Sequence, residues 1–213
     1  MACFCSWGIS SGRSDDFTKG DFPRAYDPLI RAEVARHWPD FPHWIWWKAQ
    51  LWQESRLDTK AVSPVGAAGL CQAMPATFAD WVRKYGWQNA SPHVAKHCIA
   101  GGAGYMYELR QVWKQHATRT PLERHLLGLA QYNAGTGNIL AAQKACGDAR
   151  LWSGIAPCLP SITGKRNAKE TTDYVRLIPI WAKKMEAAEA LRAPVALVVV
   201  RCSWTGHRGG CGP

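Results

Sequence analysis

Between Trp44 and Leu57 the chain reads W-I-W-W-K-A-Q-L-W-Q-E-S-R-L. Trp44, Trp47 and Leu51 fall at i, i+3 and i+7, with Ile45 and Trp52 alongside, so the spacing predicts a helix whose apolar face other elements must cover. Glu54, at i+10, continues the same stripe. A carboxyl on an apolar face is an anomaly. Burial favours its neutral form, and the approaching helix end adds partial negative charge that pushes the same way. A carboxyl held protonated near neutral pH is what a general acid requires. Two plainer readings stand beside this one: Glu54 pairs with Arg56 or another base, or it frays outward at the helix end.

The next segment is punctuated by Pro and Gly. Asp58–Val62 leads into S-P-V-G-A-A-G-L at 63–70, a turn rather than a continued helix. Such a turn can fold back under Glu54 and offer it the Ser63 hydroxyl. Pro75 suits the first position of a new helix, which leaves Gln72 and Met74 on the loop before it. Gln72 is suited to hydrogen-bond a sugar and Met74 to give an apolar floor; a turn-stabilising amide and a core thioether are the alternatives.

The rest of the chain is punctuated as helices. Thr120-Pro121-Leu122-Glu123 has an N-cap Thr, Pro at N1 and Glu at N3, and Gly135 is placed to stop that helix. A helix is expected over Ile99–Thr118, with Gly101, Gly102 and Gly104 serving close helix–helix contact. Asn167 with Glu170 resembles a capped start. Tyr174, Leu177, Ile178, Trp181 and Met185 then recur at helical spacing, and Pro179 is expected to kink or break the run. No alternating strand and no internal repeat is visible. The expected fold class is mainly α: a flexible leader at 1–25, one helical domain at 26–191, and a short tail at 192–213. Most of the 12 tryptophans are expected in its core.

Charge and cysteines narrow the function classes. Lys plus Arg number 26 against 16 Asp plus Glu, a formal +10 that favours anionic partners. The basic residues are scattered, without a basic helix or an aromatic-basic motif, so nucleic acid is not the expected partner. No apolar run approaches the roughly 20 residues of a membrane span, and Met1–Ser14 lacks the pattern of a signal peptide. None of the 8 cysteines forms a CxxC pair. Cys202, His207 and Cys211 make a poor zinc set, so no metal is expected. Cys146 and Cys158 are spaced to bridge in an oxidising compartment, with free thiols as the alternative.

Four blocks, in order, resemble the catalytic domain of soluble lytic transglycosylases, the helical lysozyme-like family that cleaves bacterial cell-wall glycan. They are Glu54-Ser55-Arg56-Leu57 with the 63–67 turn; Gly69 to Thr77; Ala130-Gln131-Tyr132-Asn133-Ala134-Gly135 with Gly137 and Asn138; and Glu170-Thr171 with Tyr174-Val175. The resemblance covers about Pro42–Met185. Cys71 stands where the family usually has Met, and Gln131 where Ala is usual. The 146–165 stretch is longer and more loop-like than in a minimal family domain.

The resemblance implies a lysozyme-like fold with a substrate groove, no cofactor, and peptidoglycan glycan strands as partner. It makes Glu54 the catalytic acid and then the base. Ser63 would hydrogen-bond Glu54 or the substrate acetamido group, Gln72 and Met74 would line the sugar sites, and Tyr132 and Asn133 would sit across the groove. Glu170 and Tyr174 would contact substrate or orient their neighbours. Each has a plainer role: helix stop for Asn133, capping acid for Glu170, core residue for Tyr174. The implied reaction closes a 1,6-anhydro ring on N-acetylmuramic acid. A hydrolytic muramidase resembling goose-type lysozyme and an inactive wall-binding or virion module are the alternatives. A small, basic chain without a leader resembles a bacteriophage endolysin or a virion-associated enzyme: a monomer made in the host cytoplasm that acts on the wall, with anionic envelope polymers as further partners.

Overall fold

The computed structural model describes residues 22–115 and 119–192. Among them the regular structure is helical: α1 (Asp27–His37), α2 (Trp44–Ser55), α3 (Pro75–Tyr85), α4 (Ala95–Gln111), α5 (Pro121–Ala134), α6 (Thr136–Ala145), α7 (Trp152–Ile155), α8 (Leu159–Thr163) and α9 (Lys165–Arg192). The extended element is confined to isolated bridges, Val62 with Ala68 and Ala68 with Ala73, inside the loop between α2 and α3. Among the described residues no helix is long and apolar enough to cross a membrane.

α2 packs along α9, and α4 lies against both α1 and α5. The core between them is built on tryptophan. Trp38 and Trp47 are fully buried, and their indole N–H groups donate to Ala103 O (2.8 Å) and Ile99 O (3.2 Å) on α4. The glycines of α4 admit these rings. A Cβ on Gly101 would come within 2.4 Å of Trp81, one on Gly102 within 2.6 Å of Trp47, and one on Gly104 within 2.0 Å of the Tyr85 hydroxyl. The helix is therefore low in propensity because its neighbours need its backbone. Trp38, Trp47, Trp52, Trp81 and Trp113 are buried, and Trp44, Trp46, Trp87, Trp152 and Trp181 are packed against the core and half-buried.

Several boundaries differ from the sequence expectation. α4 starts at Ala95 and stops at Gln111, not Thr118; positions 116–118 lie outside the described residues. α9 starts at Lys165, because Gly164, with φ +80°, turns the chain out of α8. Asn167 is thus inside the helix and donates its amide N–H to Thr163 O (2.9 Å), so it is no cap. α9 also runs unbroken through Pro179. Phe22 is buried and stands edge-on to Trp52, ring centroids 5.3 Å apart, while Pro23, Arg24 and Ala25 after it are exposed. The start of α5 is as expected: Thr120 Oγ1 accepts from the Glu123 N–H (3.1 Å) and Gly135 ends the helix. The tail, Cys3, Cys5 and the Cys202–His207–Cys211 set lie outside the described residues.

Two disulfides are present among the described residues. Cys146–Cys158 ties the end of α6 to the 156–158 turn, and Cys71–Cys98 ties the loop before α3 to α4. The first is the pairing that spacing allowed. The second had no local signal.

Candidate active site

α2 ends at the residue after Glu54. Arg56 and Leu57 both take left-handed conformations, φ 58° and 63°, which side chains other than glycine adopt at a cost of about 1 kcal/mol or more each. The Ser55 hydroxyl holds this exit by donating to Leu70 O (2.8 Å), and the Arg56 guanidinium folds back to Trp52 O (2.9 Å) between the Trp52 and Trp181 rings. Glu54 does not fray outward: it is 6% exposed. The Tyr174 hydroxyl on α9 donates to its Oε1 across 120 residues of sequence. Tyr174 is itself buried, and burial, with the Glu54 and Tyr132 charges next, pushes its phenol well above the usual tyrosine range. It is a permanent donor at any working pH.

Tyr132 connects this pair to a crevice. Its hydroxyl donates to Cys71 O (2.7 Å), and its ring lies 5.6 Å from that of Tyr105. The crevice, with a cavity of about 50 Å³, is lined by Gln72, Met74 and Thr77 from the loop and the start of α3 and by Tyr105, Tyr132 and Gly135 from α4 and the end of α5. Gln72 takes a left-handed conformation (φ 45°) and donates its amide to Gly69 O (3.0 Å) and Ala61 O (3.3 Å), so its orientation is fixed by the loop. Met74 is the extended residue just before α3. Ser63 is engaged in its own turn, where its hydroxyl accepts from the Ala67 N–H (2.9 Å).

Asn133 and Glu170 form a neighbouring pair on α5 and α9. Asn133 Oδ1 accepts from the Thr171 hydroxyl (2.6 Å), which leaves its amide N–H for the Glu170 carboxyl. Burial raises the Glu170 pKa, against the opposing pull of Asn133 and Arg166. Its Oε1 is buried without a hydrogen-bond partner.

The structure thus brings Glu54, Tyr174 and Tyr132 together, puts Gln72, Met74 and Tyr132 in the lining of one crevice, joins Asn133 to Glu170, and gives Ser63 to the loop. Sequence reasoning passed over Tyr105 and Thr77 in the lining, and Gln50, which touches Tyr174 from one turn before Glu54. Gln50 carried a signal, being, like Lys48 and Gln53, a polar residue inside the apolar run of α2. Among the described residues no cluster of His, Cys, Asp and Glu is arranged to hold a metal.

Comparison with known proteins bears on the same segments. Residues 47–152 match the model of the family described as Transglycosylase SLT domain. Membrane-bound lytic murein transglycosylase F of Erwinia tasmaniensis is 30% identical over 159 residues, 71% of this chain and 30% of the relative. Its namesake from Salmonella arizonae is 30% identical over 176 residues, 78% of this chain and 32% of the relative. The chain spans about a third of the length of these relatives. Among solved structures, the lytic transglycosylase Slt from Pseudomonas aeruginosa superposes with a TM-score of 0.60 at 29% identity, over 81% of this chain and 25% of that one. The 70 kDa soluble lytic transglycosylase from Escherichia coli shares the fold, with a TM-score of 0.61 at 24% identity over 78% of this chain and 25% of that one.

Proposed function

We propose that this chain, which carries a transglycosylase SLT domain on a lysozyme-like helical fold, is a peptidoglycan lytic transglycosylase with Glu54 as its acid and base. The observation that carries the reading is a buried carboxyl, held by a tyrosine hydroxyl, beside a crevice that Gln72, Met74 and Tyr132 line. Glu54, neutral at rest, protonates the oxygen bridging N-acetylmuramic acid and N-acetylglucosamine. The bond from that oxygen to C1 breaks, and the muramic N-acetyl group stabilises the oxocarbenium-like centre. The Glu54 carboxylate then takes the proton of the same sugar's C6 hydroxyl, and O6 bonds C1 in a 1,6-anhydro ring. Glu54 is reprotonated and no water is consumed. One carboxyl suffices, where most glycosidases need two.

Gln72 and Met74 line the sugar sites in this reading, with Tyr132 and Asn133 opposite, Glu170 as a further substrate contact, and Ser63 shaping the loop beneath. The +10 charge suits an anionic envelope. The setting we propose is a bacteriophage endolysin. A gene lying among phage lysis genes supports that setting, and one within a bacterial secretion locus overturns it.

The test is digestion of purified peptidoglycan with mass spectrometry of the soluble fragments, with Glu54→Gln alongside. Fragments lighter by one water than hydrolysis products, absent in the variant, are expected. Reducing-end fragments would make the enzyme a muramidase, and no fragments from a folded wild type would leave a wall-binding module.

A further inference from the structure

Gln50 lies one helical turn before Glu54, so the two side chains share one face of α2. It is fully buried. Its amide lies beside the Tyr174 hydroxyl, yet neither Nε2 nor Oε1 makes a hydrogen bond of ordinary geometry to any group. An apolar side chain would serve packing better at that position, so an uncommitted buried amide calls for a reason beyond stability.

We propose that Gln50 is a positioning residue that keeps the Tyr174 hydroxyl matched to both protonation states of Glu54. This rests on the acid–base role given to Glu54 above. A phenol has one proton to give and lone pairs that accept. When Glu54 is ionised, Tyr174 gives that proton to Oε1, the atom it contacts, and its oxygen can only accept, which requires the Gln50 N–H. When Glu54 is protonated, the carboxyl O–H donates to the phenol oxygen, and the phenol proton turns to Gln50 Oε1. An amide carries donor and acceptor side by side and serves both arrangements after a rotation; leucine or methionine serves neither. The ionised arrangement gains more, because hydrogen bonds to a charge are the stronger ones. Gln50 therefore lowers the pH at which Glu54 releases its proton.

Gln50 from α2 and Tyr132 from α5 face the phenol. Arg56, past the end of α2, has its guanidinium on Trp52 O, and Glu170, with Arg166 near it, lies one turn before Tyr174 on α9. Apart from Gln50 itself, none of these changes in the test below.

The test is carbon-13 NMR on protein labelled at the glutamate side-chain carboxyl, with the Glu54 resonance identified by its loss in Glu54→Gln. In Gln50→Met the Glu54 midpoint is expected to rise by about half a pH unit or more. In a Tyr174→Phe background the same substitution is expected to add nothing. An unmoved midpoint in folded Gln50→Met overturns the proposal, as does a shift that persists undiminished without the Tyr174 hydroxyl. Should Gln50→Met fail to fold, Gln50→Leu takes its place, and failure of both makes Gln50 a packing residue and overturns the proposal. The reading is separable from the function: a moved midpoint in a wild type that cleaves no peptidoglycan overturns the enzyme assignment alone. Cleavage with an unmoved midpoint overturns only the role of Gln50.

Discussion

A single hydroxyl on α9 faces the buried carboxyl of α2, and its removal is the sharpest test of how Glu54 is held. Tyr174→Phe keeps the ring and its packing. A hydrogen bond to a charged group contributes about 1.5–3 kcal/mol, so cleavage is expected to fall roughly 10- to 100-fold, read from the initial rate of muropeptide release. His125 gives a second residue-scale prediction, in stability. It is fully buried, stacked 4.5 Å from Phe41 with Trp38 and Trp46 at its edges, and its ring nitrogens have no partners. Burial, then the Arg110 charge, lowers its pKa well below 6.5. The unfolded chain therefore binds a proton that the folded one refuses. Stability is unaffected above pH 6.5 and falls below it by up to about 1.4 kcal/mol per pH unit. Thermal unfolding at pH 7 and pH 5 should show a steeper acid loss in wild type than in His125→Phe. What the sequence reveals at this scale is local: Glu54 stands out because a helix wheel places it wrongly. Its partner Tyr174 is 120 residues away, and no local pattern reports that contact.

At the scale of elements, α4 shows what a sequence can and cannot announce. Its glycines signal close approach, and the rings of Trp81 and Trp47 fill the space. Gly102→Ala is expected to destabilise by about 1–3 kcal/mol through overpacking, measured by urea unfolding. The far end of α4 is not announced, because the periodic residues continue past Gln111 while the backbone leaves the helix. The start of α9 is set by Gly164 and not by the Asn167–Glu170 pair, which has the spacing of a cap but lies inside the helix. The loop before α3 is pinned from three sides, by Ser55 to Leu70, Tyr132 to Cys71 and Cys98 to Cys71. Cys98→Ala with Cys71→Ala should cost about 2–4 kcal/mol of stability. It should also slow cleavage, since Gln72 follows the untethered residue. Unchanged kinetics in a folded double variant would show that the two hydrogen bonds alone hold the loop. Spacing could not nominate this bridge, because eight cysteines leave too many pairings open.

Over the whole molecule, surface charge and covalent connectivity act together. Raising salt from low to physiological ionic strength is expected to weaken sedimentation with peptidoglycan, because exposed charges are screened beyond about 8 Å; salt-independent binding would remove the net charge from the account of affinity. The Cys71–Cys98 bond, with a sequence separation of 27, closes a ring that contains all of α3 and its connection to α4. Gln88 and Asn89, on that connection, are exposed. A protease that cuts there opens a ring and does not release a fragment. The nicked chain should migrate as one species on a gel without reductant and as two with it, while both halves stay threaded through the same core.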